Sequence, residues 1–384
     1  MGFDFQHNTP RILCAPGTLS RLGEVTGGAS RVLVVLDPAF SGGAVEARTR
    51  SALGAASVFV HVVPNHEPTA ESVTACALAL RESGAGAVVA IGGGSVLDTA
   101  KAARGLAANP GPMADLLGSG REGMAAHASI FVAIPSTAGT GSEVSDSAIV
   151  DMPGTIYKAV MRAPHLAPDV ALLDAEITLT APAHVTAASG YDALTHAVEA
   201  ATSRASSPLT EPLALDAVAA LARHLPRAVA APDDLAAREA CLVASTQAGI
   251  AFNSAHLGLA HAVAGALGAL HHVPHGLANA IALPWTMAFN AGHYGAEREA
   301  RLAAALSAER VPLGLARLRA EVGLDRGLDA FVPDASARDR LAEAAMTSGQ
   351  VAMNPRPAAF ADMRALLEAM RHPLDGAEPR WPRE

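Results

Sequence analysis

The chain has 384 residues, 50% of them apolar and only 4% aromatic, with a formal charge of −9 at pH 7. That length is enough for two domains with sizeable cores, and an acidic balance without a basic stripe excludes the electrostatic footprint of a nucleic-acid binder. Three widely spaced cysteines, Cys14, Cys76 and Cys241, offer neither a disulfide framework nor a thiolate metal site.

The first half alternates two kinds of segment. RVLVVLD (Arg31 to Asp37), SVFVHVV (Ser57 to Val63), AVVAI (Ala87 to Ile91) and SIFVAIP (Ser129 to Pro135) are short runs rich in Val and Ile. They read as buried strands. ESVTACALALRES (Glu71 to Ser83) has apolar residues at helical spacing. Strands alternating with helices predict a parallel sheet covered by helices, with ligands at the carboxyl ends of the strands. From about Ala183 the β-branched runs give way to Ala/Leu-rich segments: 212–225, 235–252, 297–307, 335–346 and 359–370. The expected organisation is therefore an α/β domain over residues 1–182 and an all-α domain over 183–384. No run reaches the roughly 18 apolar residues of a membrane span. The N-terminus has no basic region followed by an apolar run, so a cytoplasmic protein is expected.

Two loops follow strands. In IGGGSVLDTAK (Ile91 to Lys101), Gly92, Gly93 and Gly94 permit close approach of an anion and positive φ. Ser95 and Asp98 have the spacing of a capping box, and the helix start offers N–H groups to a phosphate. The plainer alternative is a tight strand-to-helix turn without a ligand. PSTAGTGSEVS (Pro135 to Ser145) brings hydroxyls from Ser136, Thr137, Thr140 and Ser142, with Gly139 and Gly141, that suit a diphosphate or ribose. Alone it reads more readily as a Gly/Ser/Thr surface loop, an alternative that two such loops at strand ends weaken. Asp37, at a strand end, is placed either to accept hydrogen bonds from an adenosine ribose or to start a turn before Pro38.

Asp192 and His196 stand four apart in GYDALTHAVEA (Gly190 to Ala200) and share one helix face. His261 and His275 follow in an Ala- and Leu-rich setting. One carboxylate and three imidazoles suit a divalent first-row metal, iron or zinc. In a chain of 15 histidines, ordinary helical residues satisfied by backbone carbonyls are the alternative.

With these motifs in order, the chain resembles the iron-containing (group III) alcohol dehydrogenases. The matches are GGGSVLDTAK (Gly92 to Lys101), PSTAGTGSE (Pro135 to Glu143), GYDALTHAVEA, PHGLANAIALP (Pro274 to Pro284) and AMNPRP (Ala352 to Pro357), spread over nearly the whole chain. The resemblance implies an N-terminal dinucleotide-binding domain, a helical C-terminal domain, and one metal with the active site in the cleft between them. Carried over, the metal ligands are Asp192, His196, His261 and His275. The NAD contacts are Asp37, Gly93, Gly94, Ser95 and Asp98, together with Thr137, Thr140 and the neighbouring Ser136 and Ser142. Lys158 resembles the family lysine near the nicotinamide ribose. The implied activity is hydride transfer between NAD(H) and a small alcohol or aldehyde, with iron(II) or zinc(II), in a homodimer without nucleic-acid or membrane partners.

One departure stands out. Many members carry a further histidine four residues after the third ligand; here that position is Gly265. A proton relay through that side chain is excluded, and His271 and His272 are the nearest substitutes in sequence. A maleylacetate reductase-like reading fits less well, because that branch typically lacks the ligand aspartate. A dehydroquinate synthase-like carbocycle synthase needs a basic cluster, and residues 256–290 contain no Lys or Arg.

Overall fold

The computed structural model describes Phe3, Phe5 and residues 11–64, 68–118, 123–152 and 159–374. It divides into two compact units, residues 7–181 and residues 182–384 with 1–6.

The first unit contains β1 (Arg11–Cys14), α1 (Leu22–Val25), β2 (Arg31–Leu36), α2 (Ala44–Leu53), β3 (Ser57–Val62), α3 (Ala70–Ser83), β4 (Ala87–Gly92), α4 (Gly94–Ala108), β5 (Ile130–Pro135), β6 (Ser147–Val150), β7 (Ala159–Arg162), β8 (Val170–Leu173) and α5 (Ala175–Thr178). Six strands form one parallel sheet in the order β1-β8-β5-β4-β2-β3. Strands covered on both faces read as continuous apolar runs, which is why β2, β4 and β5 stood out in the sequence. Alternate side chains then serve two cores. Leu33, Val35, Val88, Ala90, Phe131 and Ala133 pack with residues of α3 and α4. Val32, Val34, Val89, Ile91, Val132 and Ile134 pack on the other face with Leu22, Val45 and Leu53. An antiparallel pair, β6–β7, was not anticipated.

The strand order reverses between β2 and β4. In such sheets the carboxyl ends beside the reversal form the ligand crevice. Asp37, Gly92 and Ser136 stand there at the carboxyl ends of neighbouring strands, linked by Asp37 N–H to the Ile91 carbonyl (3.0 Å) and Ser136 N–H to the Gly92 carbonyl (2.9 Å).

The second unit is helical: α6 (Ala183–Thr202), α7 (Thr210–Ala230), α8 (Leu235–Ala255), α9 (Leu259–His271), α10 (His275–Asn290), α11 (Ala296–Ala305), α12 (Val311–Glu321), α13 (Ala335–Met346) and α14 (Phe360–Ala369). Its centre is α6, which packs on α7, α8 and α10, while α10 also packs on α9 and α12. Alanines at these contacts let the helices approach closely. Fifteen residues of α6 are buried, Asp192, His196 and Glu199 among them. No single helix among the described residues is long and apolar enough to cross a membrane; α8 and α9 pass that test only together, and they meet at a 101° bend.

Candidate active site

In the first unit, the glycine-rich turn and the hydroxyl-rich loop touch. A Cβ on Gly94 would stand 2.6 Å from Thr140 Cγ2, and one on Gly93 would stand 3.5 Å from Thr137 Oγ1. Gly94 is therefore required by Thr140, whereas a Cβ on Gly93 would make only ordinary contact with Thr137. The expectation of positive φ is corrected: none of Gly92, Gly93 and Gly94 adopts it. The capping box is corrected as well. Helix α4 begins at Gly94, its N-cap is Gly93, and no side chain caps it.

Asp98 instead faces the second loop. Its Oδ1 accepts from Ser142 Oγ at 2.5 Å and its Oδ2 accepts from Ile149 N–H at 3.0 Å. Three turns of sequence logic cannot reveal such a bond, because the partners are 44 residues apart. Below it lies Lys101, fully buried, with Nζ donating to Ser145 Oγ (3.0 Å) and the Ser147 carbonyl (2.9 Å). Burial lowers the Lys101 pKa, and Asp98, Glu143 and Asp146 oppose that shift. Lys101 and Asp98 thus anchor the loop, while Ser95, Thr137 and Thr140 are left half-buried beside the turn and Ser136 is buried. Asp37 lies just past β2, not within it. Its Oδ1 accepts from Ala39 N–H at 2.9 Å and caps the short helical turn Pro38–Phe40. Lys158 lies outside the described residues.

In the second unit, Asp192 Oδ1 stands 3.5 Å from His275 Nε2 and 3.7 Å from His261 Nε2. One ligand atom from each of these three residues lies within 4.8 Å of the others. Two atoms held about 2.1 Å from one tetrahedral ion stand about 3.4 Å apart, so the donor spacing fits a single divalent metal. His196 stands beside this trio. Its ring stacks on His261 at 4.5 Å and on Phe252 at 4.5 Å. His261 sits in the first turn of α9 and His275 opens α10, so two helix starts bring the imidazoles to α6. The Asp192 and His261 side chains are buried, whereas that of His275 is 38% exposed, which marks the open side.

Burial raises the Asp192 pKa, but His196, His275 and His261 outweigh it and hold the carboxyl well below the usual range. Burial likewise pushes His261 down, and hydrogen bonds to Asp192 and Glu199 more than reverse this, to about 9.

Two further residues were missed by sequence reading. Asn279, fully buried and one turn after His275, points Nδ2 at Asp192 Oδ1 (2.7 Å), His261 Nε2 (3.2 Å) and His275 Nε2 (3.3 Å). Glu199 binds His261 Nδ1 at 2.6 Å. A signal for Glu199 was present: it follows Asp192 by seven residues on the same helix face.

Gly265 is exposed on α9, and nothing lies within 4 Å of a Cβ built there. Close packing therefore does not explain this glycine. His271 has Arg340 and His272 as its charged neighbours.

A parallel sheet with glycine and hydroxyl loops at its switch point, and a separate helical Asp/His centre, define a metal-dependent dehydrogenase class. Comparison with known proteins gives the particular family. Residues 9–175 match the family described as iron-containing alcohol dehydrogenase. Residues 186–371 match the C-terminal region of the Fe-containing alcohol dehydrogenase family. The chain is 39% identical over 369 residues to the probable alcohol dehydrogenase EutG of Escherichia coli K12, covering 94% of this chain and 93% of that protein. It is 31% identical over 353 residues to the NAD-dependent methanol dehydrogenase of Bacillus methanolicus, covering 89% and 92% respectively. The solved iron-containing alcohol dehydrogenase of Thermococcus thioreducens superposes with a TM-score of 0.89 at 32% identity, over 96% of this chain and 99% of that one. The chain belongs to the iron-containing alcohol dehydrogenase family. It is an oxidoreductase that exchanges hydride between NAD(H) and a small alcohol or aldehyde, with one divalent metal.

Proposed function

We propose that Asp192, His196, His261 and His275 hold one iron(II) or zinc(II) ion, and that the substrate is a short primary alcohol or its aldehyde. The observation that carries this reading is the convergence of Asp192 Oδ1, His261 Nε2 and His275 Nε2 on one point, with His275 on the accessible side. A divalent metal held there would supply Lewis acidity toward the alcohol or carbonyl oxygen, and bound NAD(H) would supply the hydride chemistry.

The chain's own residues do the rest. Asp192 contributes the single negative charge among the four ligands. His261 keeps Nε2 directed at Asp192 and His275 while Nδ1 is engaged elsewhere. Gly265 leaves open space four residues along the same helix, room for a substrate or for water to carry the proton.

In the first unit, Gly93, Gly94 and Ser95 bind the NAD diphosphate at the start of α4, where the helix dipole favours negative charge. Thr137 and Thr140 line the adjoining loop with Ser136, and Asp98 with Ser142 fixes it. Asp37 selects NAD over NADP, and Lys158 serves the nicotinamide ribose. Residues 1–182 thus form the NAD-binding domain and 183–384 the metal-binding domain. Cys76 and Cys241 are buried free thiols, in keeping with a reducing cytoplasm. The net charge of −9 does not favour a nucleic-acid partner. A homodimer is the assembly that the family resemblance implies.

The test is a screen of primary alcohols, diols and hydroxy acids with NAD after reconstitution with iron(II) or zinc(II). Alcohol-dependent NADH formation that needs the metal is expected. Turnover unchanged after complete chelation would contradict the reading.

A further inference from the structure

The helix that supplies Asp192 and His196 carries a third buried ionisable residue on the same face, Glu199, 4% exposed. Its carboxylate is held by two bonds to another helix. Oε1 accepts from Ala260 N–H at 2.7 Å, and Oε2 pairs with His261 Nδ1 at 2.6 Å. Ala260 lies in the first turn of α9, where backbone N–H groups have no partner within the helix. The N-cap Gly258 supplies no side chain to satisfy them. Glu199 therefore caps α9 from outside and seats His261 with the same group. The fit is close: a Cβ on Gly258 would stand 2.9 Å from Glu199 Oε1 and 3.1 Å from Asn354 Oδ1.

We propose that Glu199 is the positioning residue for the metal ligand His261, fixing its ring orientation and its tautomer. A carboxylate has no proton to give, so Nδ1 keeps its hydrogen and Nε2 is the nitrogen left to present a lone pair to a metal. A ligand imidazole held this way is more basic and pre-oriented, and loss of such a partner weakens metal binding by about 10- to 100-fold. Helix α9 adds to the arrangement, because its N-terminal dipole favours a negative group at this end. The proposal rests on the reading of the Asp/His group as a metal site.

The discriminating variant is Glu199→Gln. A carboxamide has one acceptor and one donor end, but two N–H groups must be met. If the amide oxygen faces Ala260, its NH2 turns Nδ1 into an acceptor and moves the imidazole proton to Nε2, where it opposes the metal. If the oxygen faces His261, the cap on α9 is lost and a neutral acceptor replaces the charged one, so the imidazole is a less basic ligand in this orientation too.

Metal-free parent, Glu199→Gln and Glu199→Asp are titrated with zinc(II) against a chromogenic chelator, at a temperature where melting curves show each to be folded. Zinc affinity is expected to fall 10- to 100-fold in Glu199→Gln. The shorter Glu199→Asp, which keeps the charge but spans less distance, is expected to fall in between. A purely capping role would lower the melting temperature and leave zinc affinity within twofold of the parent, and that result overturns the proposal. If Glu199→Gln does not fold, Gly258→Ala displaces the carboxylate without removing it; weaker zinc binding supports the proposal and unchanged binding overturns it. A parent chain that takes up no zinc at all would instead defeat the metal reading itself.

Discussion

Asn279 Nδ2 donates to Asp192 Oδ1 at 2.7 Å, joining the buried carboxylate of α6 to α10 one turn after His275. The amide thus holds Asp192 in place for the two imidazoles, while its own Oδ1 is buried without a hydrogen-bond partner among the described residues. Asn279→Ala removes the donor and leaves Asp192 less constrained. Metal affinity should fall by about tenfold, in the range found when partners of ligands are lost. A chelator titration checks this, and affinity equal to the parent's would show that Asp192 needs no such support.

Gly265 offers a prediction about stability and substrate size together. With open space where a side chain would go, Gly265→Ala should stabilise the chain by roughly 0.5–1 kcal/mol, the usual helix-interior difference. Gly265→His should leave the melting temperature near that of the parent and lower rates most for bulky alcohols. A large loss of stability, with equal losses on every alcohol, would restore a packing role.

Asp37 both caps a turn and is proposed to select the cofactor. Asp37→Ser keeps a hydroxyl that can accept from Ala39 N–H but removes the charge. The ratio of kcat/KM with NADP to that with NAD should rise by tenfold or more, with little change in melting temperature. An unchanged ratio would show that Asp37 is only a turn residue.

The His261 imidazole, pushed up to about 9, carries a proton in the metal-free protein at neutral pH. Its raised pKa contributes stability that is fully present below its ordinary value of about 6.5 and is lost as pH rises through about 9. A metal on Nε2 must displace that proton, so metal uptake releases protons and apparent affinity should rise by roughly tenfold per pH unit from about 7 toward 9. Zinc titrations across that range, with buffers of different ionisation enthalpy, measure both. An affinity independent of pH would contradict the assigned proton.

Much of the architecture was legible because it is local. The apolar runs of β2, β4 and β5 announce a sheet buried on both faces, and the i, i+4 spacing of Asp192 and His196 places them on one side of α6. The same rule reaches Glu199, but a lone acidic residue in a helix is ordinarily solvent-facing, and only α9 beside it shows otherwise. Helix α12 was not anticipated; its Pro312 lies in the first turn, where proline fits a helix. Asp98 was misread as a cap because its partners, Ser142 and Ile149, come from the following strand and loop. The β6–β7 pair consists of four-residue strands, too short to carry a period. Asn279 as a neighbour of Asp192, His261 and His275 follows from tertiary packing alone.

The most direct measurement is an anomalous-scattering map from crystals of the zinc-loaded protein, collected at the zinc edge. One peak is predicted, about 2.0–2.2 Å from ligand atoms of Asp192, His196, His261 and His275. A fully loaded, active crystal whose zinc peak lies away from these four side chains would contradict the account.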